Sequence, residues 1–310
     1  MALVAATGDI HLKSVLFATD FSEASEKALR HALAIARHYG AKLYLVHVVS
    51  SLGLTMVGPD AVTMSAEIIT RDAAELENRL VQSGALTAVP HELIVRQGIV
   101  WDELDKIVDQ EQIELVIIGT HARRGLGKLL LGSVAEHIFR HESCLVLTVG
   151  PGSLPDSPLG SGRAIRPFLF ATDFSEASLH ALPYAISSAN HFGTKLILLH
   201  VISETPMPEG LLLPSAGDVM QMREKARLSN LRWLEELLCQ TPKLAATPDF
   251  VVEFGGPAEK ILQTANRLKC DAIILGLHRS AHISAASHMP WATAYEVVCG
   301  ACCAVLTVRN

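Results

Sequence analysis

The chain has 310 residues, 49% of them hydrophobic, and a formal net charge of −6. That length holds two domains of ordinary size, each with its own core, and the acidic balance excludes an electrostatic case for nucleic acid or an anionic membrane. The first residues lack the basic and long apolar regions of a signal peptide, and no run of about 18 uninterrupted apolar residues would span a bilayer. The six cysteines do not form a disulfide framework, so a soluble protein of the reducing cytoplasm is expected.

Ser14–Ala18 is a short apolar run and reads as a buried strand. TDFSEASEKALRHALAIARHYG follows, with Ala28, Leu29, Ala32, Leu33, Ile35 and Ala36 at helical spacing and Gly40 as its C-terminal stop. Lys42–Val49 is a second buried strand, 50–62 a looser segment, and 65–83 a helix with a charged face. Then come a strand over His91–Arg96, a helix over 100–112, a strand over Glu114–Gly119, a helix over 132–142 and a strand over Cys144–Val149. The stretch PGSLPDSPLGSGRAIR, 151–166, is rich in Pro, Gly and Ser and reads as a linker.

Beyond it the chain repeats itself. Residues 167–202 match 14–49 at 21 of 36 positions without a gap, at an offset of 153. Strands are expected again at 167–171, 195–202, 249–254, 271–276 and 303–308. A period near 150 means duplicated domains, 1–150 and 167–310, since solenoid units repeat every ~20–50 residues. Strand alternating with helix implies right-handed crossovers. The expected fold is α/β: two tandem copies of an open, mainly parallel five-stranded sheet with helices on both faces.

Open parallel sheets bind ligands at the carboxyl ends of their strands, where the strand order reverses. Two segments of the first copy fall there: Ala18-Thr19-Asp20-Phe21-Ser22 and GTHARRGLGKLLLGSV, Gly119 to Val134. Asp20 with Glu23 has the spacing of a capping box, either as its whole role or together with ligand contact. A glycine at a strand end, Gly119, lets backbone approach a ligand. Gly132-Ser133 opens a helix whose N–H groups attract an anion. His121 follows the strand-end glycine into the same region. Arg123, Arg124 and Lys128 are either solvated loop charges or a screen for phosphate. The spacing is neither a Walker A loop nor a GxGxxG fingerprint.

Strand-TDFS-helix, the strand ending LVHVV and the pattern from Gly119 to Ser133 resemble the universal stress protein family. Its ATP-binding branch carries G-x2-G-x9-G-[ST], with Ala122 here where the second glycine is expected. The resemblance implies ATP with Mg²⁺ in domain one only. Asp20 would meet the ribose or the metal–phosphate group, and Val48 the adenine through its backbone. Ala18 and Thr19 would line the base side, Gly119 and Ala122 the phosphate path, and Gly132, Ser133 and Val134 would hold phosphates. Hydrolysis would be slow or absent, the role regulatory, and the protein partners are left open by the sequence.

The second copy keeps Asp173 and Gly276 but has Arg279 at the second glycine and Met289-Pro290 in place of Gly132-Ser133. Proline removes an N–H, so no ATP is expected there, and the domain becomes a packing or interaction partner. The alternative is a nucleotide-free interaction module in which both sites have drifted. The final strands, 145–149 and 304–308, are apolar edges expected to pair within the chain as an internal pseudo-dimer, with a true homodimer also open. His137 and His141, four apart on a helix, lack an evident third metal ligand. Cys299, Cys302 and Cys303 read chiefly as packing residues or a chance reactive thiol.

Overall fold

The computed structural model describes residues 11–50, 59–120, 123–125, 128–142, 144–150, 152–153, 164–203, 215–239, 241, 243–278 and 290–309. It divides into two compact units, one of residues 11–164 with 298–307 and one built chiefly from 165–297.

In the first unit β1 (Ser14–Ala18), β2 (Lys42–Ser50), β3 (His91–Gly98) and β4 (Leu115–Gly119) alternate with α1 (Glu23–Tyr39), α2 (Pro59–Gln82) and α3 (Val100–Gln110). A small antiparallel ribbon, β5 (Arg123–Gly125) and β6 (Lys128–Leu130), precedes α4 (Ser133–His141) and β7 (Leu145–Val149). The apolar strands are buried on both faces: Leu16, Phe17, Leu43, Leu45 and Ile117 are each at most 1% exposed, as expected of strands between two helical layers. Gly40 ends α1 in the left-handed conformation, φ +65, its N–H on the Ala36 carbonyl.

The second unit carries β8 (Phe168–Thr172), α5 (Glu176–His191), β9 (Leu196–Ile202), α6 (Ala216–Cys239), β10 (Asp249–Phe254), α7 (Pro257–Arg267), β11 (Ala272–Leu277) and α8 (Pro290–Gly300), whose last residues already belong to the first unit. Its strand order, β10-β9-β8-β11, repeats the β3-β2-β1-β4 order of the first. In both, adjacent strands are parallel.

The last strand, β12 (Ala304–Arg309), groups through residue 307 with the first unit. It pairs antiparallel with β7, Val305 opposite Thr148 and Thr307 opposite Val146. Thr148 Oγ1 donates to the Val305 carbonyl at 3.3 Å and Thr307 Oγ1 to that of Val146 at 3.2 Å. The expected pairing of 145–149 with 304–308 is therefore present. It covers an apolar edge whose ladder groups would otherwise face water.

Two element expectations change. Helix α2 begins at Pro59, earlier than residue 65, and the stretch after Gly119 holds the β5–β6 ribbon rather than loop alone. Strands of three residues in RRGLGKLL fall below what a two-residue alternation can reveal.

Candidate functional site

In the first unit the chain runs from β1 outward through β2 to β3, and the other way through β4 to β7. The boundary between β1 and β4 is the switch point, where the loops leaving two neighbouring parallel strands diverge and leave a crevice. Ala18 pairs with Val46 on one side and Ile118 on the other, so the turn after β1 and the segment after Gly119 emerge side by side.

The β1 turn is held by its own polar groups. Thr19 N–H donates to the Val46 carbonyl at 2.9 Å. Phe21 N–H donates to Thr19 Oγ1 at 3.0 Å, and Ser22 N–H to Asp20 Oδ1 at 3.1 Å. Ser25 N–H donates to Ser22 Oγ, and Ser22 is the N-cap of α1. The capping-box expectation for Asp20 and Glu23 is thereby corrected: the cap lies two residues further on, and Asp20 instead closes an Asx turn that aims the chain into the helix. Asp20 itself is solvent-exposed.

Phe21 has φ +59, which a bulky residue adopts only when its surroundings enforce it. Its ring lies 4.6 Å from that of His47, whose Nδ1 is 2.6 Å from the Thr19 carbonyl oxygen. His47 thus fixes the turn from the neighbouring strand, a role in keeping with a polar side chain satisfied at the edge of the core.

Val48 is two residues past the last β1 rung. The Lys42 N–H and the Val46 carbonyl bond towards β1, and the Leu43 N–H towards β3. By that alternation the Val48 backbone points over the end of β1.

Gly119 has a packing reason. A Cβ there would lie 2.5 Å from the Ala24 carbonyl carbon and 2.6 Å from the Ser25 nitrogen, so glycine is what lets α1 lie against β4. Gly276 stands in the same relation to Ala177 and Ser178 in the second unit. A strand-end glycine is thus demanded in both copies by helix contact, before any ligand is considered.

Helix α4 starts at Ser133 with Gly132 as N-cap and no side-chain cap hydrogen bond. A Cβ on Gly132 would meet nothing within 4 Å. Ser133 is exposed and Val134 half-buried. The first N–H groups of a helix lack intrahelical acceptors, and with the positive end of its dipole they suit an anion. His121 and Ala122 lie outside the described residues. Arg123 is described by its backbone, paired with Leu130.

The second copy rebuilds the β1 turn almost bond for bond. Ser175 N–H donates to Asp173 Oδ1 at 3.0 Å, Phe174 has φ +62, and His200 Nδ1 is 2.8 Å from the Thr172 carbonyl oxygen. Burial pushes the Asp173 carboxyl up, but hydrogen bonds from Ser175 and Ser178 outweigh it and leave the carboxyl below its ordinary value. The helix after β11 starts at Pro290, which has no N–H to offer.

His137 Nε2 lies 3.2 Å from Asp105 Oδ2 on α3, a carboxylate that sequence spacing did not reveal because it sits 32 residues away. Among the described residues no group of three His, Cys, Asp or Glu side chains is arranged to hold a metal ion. No helix among them is long and apolar enough to cross a membrane.

The sequence model of the universal stress protein family matches residues 11–150 and 164–309. The chain belongs to that family, as a tandem pair of its domains. Universal stress protein MJ0577 of Methanocaldococcus jannaschii is 27% identical over 152 residues, 44% of this chain and 94% of that protein. Universal stress protein A homolog 1 of Coxiella burnetii is 29% identical over 144 residues, 45% of this chain and 97% of that one. Each therefore has about the length of one copy. A solved universal stress protein from Archaeoglobus fulgidus follows 96% of this chain with 98% of its own, at a TM-score of 0.65 and 20% identity, and so shares the doubled fold.

Proposed function

We propose that this universal stress protein is an ATP-binding regulatory protein with one nucleotide site, in the first copy. One observation carries the reading. Helix α4, which connects the neighbouring parallel strands β4 and β7, opens at Gly132-Ser133 without a side-chain cap. The corresponding helix of the second copy opens at proline. In this reading the N–H groups of Ser133 and Val134 and the Ser133 hydroxyl receive phosphates. The rim backbone of Val48 meets the base, Ala18, Thr19 and Gly119 bound the slot, and Asp20 faces the ribose or the metal–phosphate group. Mg²⁺ carried in with the triphosphate would neutralise part of its charge. The sequence motif carries no clear general base or arginine finger, so turnover is expected to be slow. Nucleotide occupancy would change the surface offered to protein partners in a stress response. The six cysteines, which form no disulfide framework in the sequence, suit a reducing cytoplasmic setting.

Equilibrium dialysis with labelled ATP and Mg²⁺ tests this. One equivalent per chain is expected, and no binding at millimolar ATP would overturn the reading. A second reading, an interaction module without nucleotide, is favoured by Ala122, where the family's ATP motif has glycine. It predicts that empty result.

A further inference from the structure

A cavity of about 360 Å³ lies in the first unit between α1 and α2. Of the residues given to the nucleotide slot Thr19 also lines this cavity, whereas Ala18, Asp20, Val48, Gly119 and the start of α4 do not. Its base is apolar: Phe17, Leu29 and Leu76 are each more than nine-tenths buried. One wall is the ring of Phe21, 36% exposed and fixed by its strained backbone and its contact with His47. Its more exposed lining includes Glu26, Asp72 and Glu75, against the single cation Arg79. Arg71 reaches Asp72 and Glu75 at 3.6 Å and screens those two.

We propose that this cavity is a second small-molecule site, one that takes an organic cation with an apolar body, such as a primary amine bearing an aromatic group. The apolar base sets the body, since burying it stabilises by about 25 cal/mol per Å². The volume lies at the lower end of the ~300–1,000 Å³ range of small-molecule sites. The rim sets the sign of the head group: three carboxylates, Glu26, Asp72 and Glu75, stand against two cations, Arg71 and Arg79, and the Phe21 ring adds attraction for an ammonium. The two copies differ at this place. The gapless alignment puts Leu179 where Glu26 stands. In the second unit Trp233 of α6 rests edge-on against Phe174, ring centroids 5.7 Å apart at 85°. There an indole covers the equivalent phenylalanine and the equivalent acidic group is gone.

Titration calorimetry of the full chain with 2-phenylethylamine, without nucleotide, tests the site independently of ATP binding. Saturable binding of one equivalent is expected. 2-Phenylethanol, the same shape without charge, should bind about tenfold more weakly. Leu76→Trp, which fills the cavity, should abolish binding. Glu26→Leu, an exposed substitution that leaves the fold intact, should weaken it about fivefold. Absence of saturable amine binding up to about 10 mM, or binding unchanged by both substitutions, overturns the proposal. A circular-dichroism melt of each variant separates a filled cavity from a lost fold, and Glu26→Leu decides where Leu76→Trp unfolds.

Discussion

The turn after β1 and the turn after β8 are nearly the same object. Each has a threonine whose carbonyl meets a histidine, an aspartate closing an Asx turn, a phenylalanine near φ +60 and a serine N-cap. The helix starts that lie next along the rim are not alike: glycine and serine in the first copy, proline in the second. The lesson is that the aspartate turn is maintained by folding as well as by any ligand. It persists in a copy whose helix start offers fewer donors. A difference in nucleotide binding between the copies therefore has to be sought at α4, not at Asp20.

The largest expected effect follows from making the first copy like the second. Proline is well tolerated at the first position of a helix, where its missing N–H has no intrahelical acceptor. Ser133→Pro removes a donor N–H and a hydroxyl together. At about 1.5–3 kcal/mol for each charge-assisted bond, ATP affinity should fall roughly 100-fold or more while the melting temperature holds. Calorimetric titration beside a thermal melt checks it, and unchanged affinity would remove α4 from the site.

Next come the paired glycines. Gly119→Ala and Gly276→Ala should each destabilise the chain by about 1–3 kcal/mol, because the added methyl meets helix backbone that cannot yield as a side chain can. Denaturant midpoints measure this. Were Gly119→Ala to leave stability intact and weaken only nucleotide binding, the symmetry claimed for the two copies would be broken.

Ala122→Gly tests the family's missing glycine. Restoring it should tighten ATP about tenfold, the effect of roughly 1.4 kcal/mol, by equilibrium dialysis. A smaller effect concerns acid. Asp173 titrates below its ordinary value in the folded chain, so its contribution is present above the unfolded value and is lost as pH falls through the folded one. Asp173→Asn should lower stability at neutral pH, change it least in acid below the folded-state value, and so flatten the acid limb of a stability–pH curve around and below about pH 4. The smallest contrast is chemical. Burial, with Asp271 adding to it, pushes the Cys270 thiol up to about 12, against a lowering effect from Arg166. At pH 8 iodoacetamide should label exposed Cys239 and Cys302 and spare Cys270, as peptide mass mapping would show.

Much of the fold is legible because its signals are local. Apolar runs of five to nine residues marked the strands, and Gly40 marked the end of α1. The repeated TDFSEAS marked where the first helix of each copy begins. The helix start at Gly132-Ser133 was legible because glycine and serine mark it locally. It was misread where two residues compete for one role. Asp20 and Ser22 both have cap chemistry, and the choice of Ser22 depends on the turn made by Thr19, Phe21 and His47. Asp105 escaped because its partnership with His137 joins two helices.

From the amino-acid order alone came the duplication, the alternation of strand and helix and the rim positions of the two segments, because periodicity and repetition are properties of neighbours along the chain. The contact that makes Gly119 obligatory, the grouping of β12 with the first copy and the cavity beneath Phe21 were decided by tertiary structure. Each depends on which distant residues come within a few ångströms of one another, and the order of residues does not encode that distance locally.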